Sequence, residues 1–309
     1  MQHDDTLMIR EDRFEIPSRD GYPLRGDVRF AAGRDPSPAI VVSHGFKGFK
    51  DWGSFPAVAR DLAAAGYIAV SFNYSGSGIG PDLQNFTDTE RFERATISSD
   101  LDDLGRILDA IAAGALPGPR AAIAGGMGLV GHSRGGGVSL LRAGGDSRVA
   151  AVAVWASVSD FERWRPTTVS DWREKGYVEV ENFRTKQIFR LRTDLLDDIQ
   201  THGRGRLFIE GAAKALAARR VPVLVVHGDA DESVAIAEGR AIAEWSAGEL
   251  FEVPGAGHTF GAVHPFRGRT PDLDQVLART RDFFHRHLPS AGKLRPDSVE
   301  QGRSIGGSS

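Results

Sequence analysis

Residues 129–138, Leu-Val-Gly-His-Ser-Arg-Gly-Gly-Gly-Val, decide how the chain is to be read. The apolar run "MGLVGHS" enters a G-x-S-x-G element, Gly131-His132-Ser133-Arg134-Gly135, and "GGGVSLLRAG" leaves it with helical character. Two readings compete. One is a flexible glycine loop with an incidental serine. The other is a strained strand-to-helix turn that projects a nucleophile, and it needs this strand–turn–helix context. Glycines at 131 and 135 would let the strand and helix approach closely. Ser133 would then stand near a helix N-terminus, where positive potential favours a developing negative charge.

The flanking sequence supplies the context. "RFEIPSRDGYPLRGDVRF" predicts two strands turning at Asp20-Gly21. "AIVVSHG", "YIAVSFNY", "VAAVAVWAS" and "VPVLVVHGD" are continuous apolar runs, as strands buried on both faces should be. Between them, Phe55, Val58, Ala59 and Leu62 share one helical face, with Ser54 as the expected N-cap and Gly66 as the stop. Residues 95–113 place Leu101, Leu104, Ile107, Leu108 and Ile111 inward, and "VAIAEGRAIAEWS" and "PDLDQVLARTRDFFHRHL" predict two further helices. "GELFEVPGAGH" predicts the last strand and its turn. Strands alternating with helices imply an α/β fold, a mainly parallel sheet with helices on both faces. Residues 158–220 break this rhythm and read as an insertion, with a hairpin around Gly176 and a helix near 205–218. The Gly/Ser-rich tail 289–309 is expected to be disordered, which leaves 1–288 as one domain.

Composition narrows the chemistry. A net charge of −3 with acids interspersed among bases gives no grip on nucleic acid or an anionic membrane. No apolar run approaches a membrane span. The polar, acidic start "MQHDDTLMIREDRFEI" lacks a signal-peptide core, and with no cysteine in the chain a cytoplasmic location is expected. The absence of cysteine also excludes disulfides, thiolate metal sites and a thiol nucleophile. There is no H-E-x-x-H and no carboxylate cluster with ligand spacing, so no metal is expected. Gly76, Gly78 and Gly80 with Pro81 do not make G-x-G-x-x-G, so no nucleotide cofactor is expected either.

A serine hydroxyl needs a base to take its proton, and the base needs an orienting carboxylate. "VLVVHGDADESV" offers Asp229, Asp231 and Glu232 at the end of a later strand, and "VPGAGHTF" offers His258 after the last one. Of the nine histidines, His264 is the only other one in a late loop; His285 and His287 fall on different faces of a helix. In this order and at these strand ends the chain resembles the α/β-hydrolase superfamily across most of residues 14–288. Within it the chain looks most like the dienelactone-hydrolase, feruloyl-esterase and prolyl-oligopeptidase-like group. "VVSHGFKG", "GHSRGG", "HGDADESV" and "GAGH" carry the likeness.

The resemblance implies an eight-stranded sheet with the insertion after its sixth strand. It implies Ser133 as nucleophile, His258 as base and Asp231 as the acid of the pattern H-G-x-x-D-x-x-V, with Asp229 as runner-up. It places the oxyanion donors at the backbone N–H groups of Phe46 and Arg134, with Lys47 in place of Phe46 if that loop is tighter. The Arg134 side chain is expected to cover the helix N-terminus or to stand as a surface charge. His44, His132 and His227 are expected to pack and shape the backbone. The expected activity is hydrolysis of small carboxylic esters without a cofactor. A peptidase or thioesterase on the same triad, or a non-catalytic binding protein on the same scaffold, remain alternatives. The insertion aromatics Phe161, Trp164, Trp172, Tyr177, Phe183 and Phe189 either line a pocket for bulky acyl groups or pack the insertion onto the sheet. The oligomeric state is open.

Overall fold

The apolar runs form the middle of a sheet, and polar segments surround it. The computed structural model describes residues 8–33, 37–182 and 186–288. In chain order the elements are β1 (Ile9–Pro17), β2 (Pro23–Ala31), β3 (Ala39–Ser43), α1 (Phe55–Ala64), β4 (Ile68–Phe72), α2 (Thr89–Glu93), α3 (Ile97–Ala113), β5 (Met127–His132), α4 (Arg134–Gly145) and β6 (Val149–Trp155). Then come α5 (Pro166–Lys175), β7 (Tyr177–Asn182), β8 (Gln187–Arg192), α6 (Asp194–His202), α7 (Ile209–Ala218), β9 (Val223–Gly228), α8 (Ile236–Ser246), β10 (Glu249–Val253) and α9 (Pro271–His287).

Eight strands make one sheet in the order β1-β2-β4-β3-β5-β6-β9-β10. β2 is antiparallel to both its neighbours, and every pairing from β4 to β10 is parallel. This is the expected mainly parallel sheet with the insertion after its sixth strand. Because side chains alternate along a strand, an unbroken apolar run feeds two cores. In β3, Ala39 and Val41 join one core while Ile40 and Val42 join the other. Leu104, Ile107 and Leu108 of α3, Val138 of α4 and Ile242 of α8 cover the first face. Val58 and Leu62 of α1 with Val276 and Phe284 of α9 cover the second. Each such side chain, fully buried, contributes roughly 1.5–3 kcal/mol.

The helix ends follow local chemistry. Thr96 and Ser99 form a capping box at the start of α3, and Gly114, at φ 66°, ends it. Ser54 precedes α1 but makes no side-chain capping bond. The hairpin expected around Gly176 lies further on. Gly176, at φ 79°, donates its N–H to the Trp172 carbonyl and closes α5. The antiparallel pair is β7 with β8, from Tyr177 opposite Arg192 to Asn182 opposite Gln187. A glycine that ends a helix and a glycine that turns a hairpin give the same signal in sequence. α7 packs on α4 and α8. Phe183 and the polar tail from residue 289 lie outside the described residues.

Candidate active site

Ser133 sits between β5 and α4 at φ 56° and ψ −123°. A non-glycine residue held there carries strain of about 1–3 kcal/mol. Its surroundings impose this conformation. The Ser133 N–H donates to the Trp155 carbonyl at 2.9 Å, and the Ser133 carbonyl accepts from the Gly136 N–H at 2.9 Å. A Cβ on Gly131 would lie 2.4 Å from the Gly135 carbonyl oxygen, and one on Gly135 would lie 2.3 Å from that of His44. Strand, helix and the loop after β3 cross with no room for a side chain. The turn is rigid and the flexible-loop reading fails.

The loops after β9 and β10 bring Asp231 and His258 together. His258 Nδ1–H donates to Asp231 Oδ2 at 2.8 Å, while Oδ1 accepts the N–H groups of Ser233 (2.8 Å) and Val234 (3.0 Å). His227, fully buried, donates Nε2–H to the Val234 carbonyl at 2.9 Å and lies 3.5 Å from Asp231 Oδ2. Burial alone would push the Asp231 carboxyl up. Hydrogen bonds from His227, His258 and the Val234 N–H outweigh it and hold the group well below the usual carboxylate range. Asp231 is therefore an anion at neutral pH. Asp229 instead accepts the Gly255 N–H at 2.6 Å, capping the neighbouring loop, and Glu232 is exposed. His264 accepts the Gly53 N–H at 2.9 Å and packs on Trp52 and Phe49. It does not reach Asp231.

Ser133, His258, Phe46 and Arg134 line one cavity of about 390 Å³. No hydrogen bond joins Ser133 Oγ to His258 in this structure; contacts of this kind commonly tighten only when substrate is bound. Arg134 is the first residue of α4, so its N–H has no acceptor within the helix. Among the described residues the Phe46 N–H also has no hydrogen-bond partner. Two unpaired backbone donors therefore belong to residues that line the cavity beside the serine. Lys47, at φ 56°, donates Nζ–H to the Glu181 carbonyl at 3.0 Å. Burial lowers the pKa of its ammonium group.

The Arg134 side chain is mostly buried rather than a surface charge. Its Nε donates to Oδ2 of the fully buried Asp100 at 2.8 Å, and Nη2 contacts the same oxygen. Its guanidinium lies 5.3 Å from the centre of the Phe46 ring. Burial raises the Asp100 carboxyl's pKa and Arg134 opposes the rise. Nothing in the sequence singles out Asp100, since it sits among other acids on α3. Phe161 and Trp164 of the insertion line the cavity, together with Val158, Leu195 and Ile199. Of the other insertion aromatics named above that are described, Trp172 packs against Trp164, Phe189 against Phe86 and Phe92, and Tyr177 under the Arg190 guanidinium.

A larger cavity, about 620 Å³, lies at the start of α3. Arg19 and Arg206 both reach Asp102 there (3.1 and 2.5 Å), and Arg91 reaches Asp20 at 2.7 Å. It is an ion-paired seam, and its Ser75, Thr96, Ser98 and Ser99 hydroxyls have no histidine beside them in its lining. Among the described residues no group of three or more His, Cys, Asp or Glu could hold a metal ion. Among them, too, no helix is long and apolar enough to cross a membrane.

A sheet of this strand order, with a strained serine at the end of its central strand, is the architecture of a hydrolase. Residues 40–268 match the family model described as the alpha/beta hydrolase family, and the chain belongs to that family. No curated protein matches the sequence. Solved structures with a similar fold include the hypothetical protein PA2218 from Pseudomonas aeruginosa, at 18% identity and TM-score 0.68, covering 91% of this chain and 94% of that one. The alpha/beta hydrolase GrgF from Penicillium sp. sh18 is similar at 20% identity and TM-score 0.67, over 90% of this chain and 99% of that one. Est1E from Butyrivibrio proteoclasticus, in a complex with ferulic acid, is similar at 17% identity and TM-score 0.63, over 91% of this chain and 96% of that one.

Proposed function

We propose that the chain hydrolyses carboxylic esters through an acyl-enzyme on Ser133. The observation that carries this reading is the 2.8 Å Asp231–His258 pair opening onto the cavity that the strained serine also lines. Ser133 Oγ attacks the ester carbonyl as His258 Nε2 takes its proton. Asp231 holds Nδ1–H, fixing the tautomer and stabilising the imidazolium. The carbonyl oxygen becomes an oxyanion and receives the N–H groups of Phe46 and Arg134, each such donor being worth roughly 3–4 kcal/mol in the transition state. His258 returns the proton to the leaving alcohol. A water then gives a proton to His258 and its hydroxide attacks the acyl-enzyme. The acid leaves, and the proton goes back to Ser133.

Phe46, Phe161 and Trp164 make the acyl side of the cavity aromatic, which supports a preference for bulky or aromatic acyl groups. The test is turnover of p-nitrophenyl acetate and butyrate and of hydroxycinnamate esters, beside peptide and thioester substrates. The expected result is ester hydrolysis that Ser133→Ala abolishes, and fluorophosphonate labelling of the wild type alone. Turnover that survives Ser133→Ala overturns the reading. Indifference to aromatic acyl groups removes only the substrate preference.

A further inference from the structure

We infer that His132, the residue just before the serine, positions His258 by tethering its main chain. The inference rests on the reading of His258 as the base. His132 Nε2 lies 2.9 Å from the His258 carbonyl oxygen. A carbonyl only accepts, so Nε2 carries the proton and donates it. The two imidazole rings pack with centroids 4.7 Å apart, and Phe55 closes on His132 edge-on at 5.9 Å.

The tether matters because of what precedes His258. The approach is Gly255-Ala256-Gly257, with Gly255 at φ 72° and open space around both glycines. Asp229 anchors the Gly255 N–H and the Ala230 N–H anchors the Ala256 carbonyl, but beyond them the His258 carbonyl accepts, among the described residues, only from His132. Asp231 fixes one ring nitrogen of His258 and His132 fixes its carbonyl. Together they leave Nε2 to face the cavity. The turn that strains the serine thus also anchors the base 126 residues downstream.

The charge state suits the task. Burial, and next the neighbouring His258, hold the His132 imidazole down at about 3, against smaller opposing effects from the His258 carbonyl and Asp231; His227 adds a further lowering. His132 is a neutral donor at any working pH. A permanent cation in its place would oppose the imidazolium that His258 must become.

The test compares His132→Phe, which keeps a ring and loses the donor, with His132→Gln, which keeps an N–H at similar reach. His132→Met replaces the Phe variant should circular dichroism show that variant unfolded. Two readouts are taken on the full chain: kcat and KM for a p-nitrophenyl ester, and the low-field proton resonance of the His258 Nδ1–H held on Asp231. The expected result for His132→Phe is a kcat loss of roughly 10–100-fold with KM within about twofold, and loss of the low-field signal, since small misplacements of a catalytic group cost on this scale. His132→Gln should recover both. Unchanged kcat and an unchanged resonance in the donorless variants overturn the inference. If the wild type shows no Ser133-dependent turnover, the catalytic reading falls, and the resonance still decides whether His132 holds His258.

Discussion

At the scale of single residues, the site depends on who lies within reach of whom. Asp231 and Asp229 are two residues apart, yet one carries His258 and the other caps Gly255. Asp231→Asn should lower kcat by about 10⁴, the cost of losing the correct imidazole tautomer, and leave KM little changed. Asp229→Asn should keep kcat within a few fold. Steady-state kinetics on the two variants separates them, and equal losses would mean that the carboxylate role is misassigned. Gly135→Ala tests the elbow. Its Cβ would fall 2.3 Å from the His44 carbonyl, so the loop after β3 must move. That loop carries Phe46, so activity should fall along with stability, by about 1–3 kcal/mol of overpacking read from a urea melt. Chain order and motif position pointed to Ser133, Asp231 and His258, and the structure pairs the last two and sets the serine in the cavity that His258 lines. The partners of Arg134 and His132 were not legible. Asp100 is 34 residues from Arg134 and is one acid among several, and only three-dimensional closure brings His132 to the His258 carbonyl.

At the scale of elements, the loop between β3 and α1 is held by charge. Lys50 is buried, with Nζ 2.5 Å from Asp27 on β2 and 2.6 Å from Asp51. Asp27 also accepts from Arg29, whose Nε reaches Glu11 on β1 at 2.8 Å, and the Lys50 N–H donates to Asn73 beyond β4 at 2.7 Å. Removing one member of such a buried network leaves an uncompensated charge, at a cost of about 3–5 kcal/mol. Lys50→Met should therefore be strongly destabilised in urea denaturation. Lys50→Met with Asp27→Asn should regain part of the loss; a double variant no better than the single would mean that the charges do not couple. The regular elements were readable because burial on both faces forces unbroken apolar runs, and 3.6-residue spacing marks the helices. The insertion was not. α5 has little apolar pattern, with Trp172 its one buried residue, and Gly176 looks the same as a turn or as a cap. Whether its aromatics bind substrate or pack had no periodic signature; of the described ones, Phe161 and Trp164 line the cavity beside Ser133, and Trp172, Tyr177 and Phe189 pack against other residues.

At the scale of the whole molecule, buried groups that change protonation on unfolding set the response to pH. Burial holds His44 at about 4 and His132 at about 3, below their ordinary value of 6.5. As pH falls below 6.5 the unfolded chain takes up these protons and the folded chain does not, so acid destabilises the fold. Asp103 works the other way. It is buried with its carboxylate on the Ser75 N–H at 2.8 Å, and burial raises its pKa from 3.8 to about 7. Between these values the folded state holds a proton that the unfolded state has lost, so Asp103 favours the fold at low pH and penalises it as pH rises. Burial raises the Asp100 carboxyl as well, so it acts in the same sense as Asp103, and between pH 6.5 and pH 4 the two histidines and these two carboxyls oppose each other. Asp103→Asn keeps an acceptor for the Ser75 N–H and cannot charge. At pH 8 it should be more stable than the wild type, by at most on the order of 4 kcal/mol for a shift of this size. The gap should close by pH 4. Denaturant melts of both proteins across pH 4–8 check this. A gap that stays constant with pH would mean that Asp103 remains charged when the protein folds.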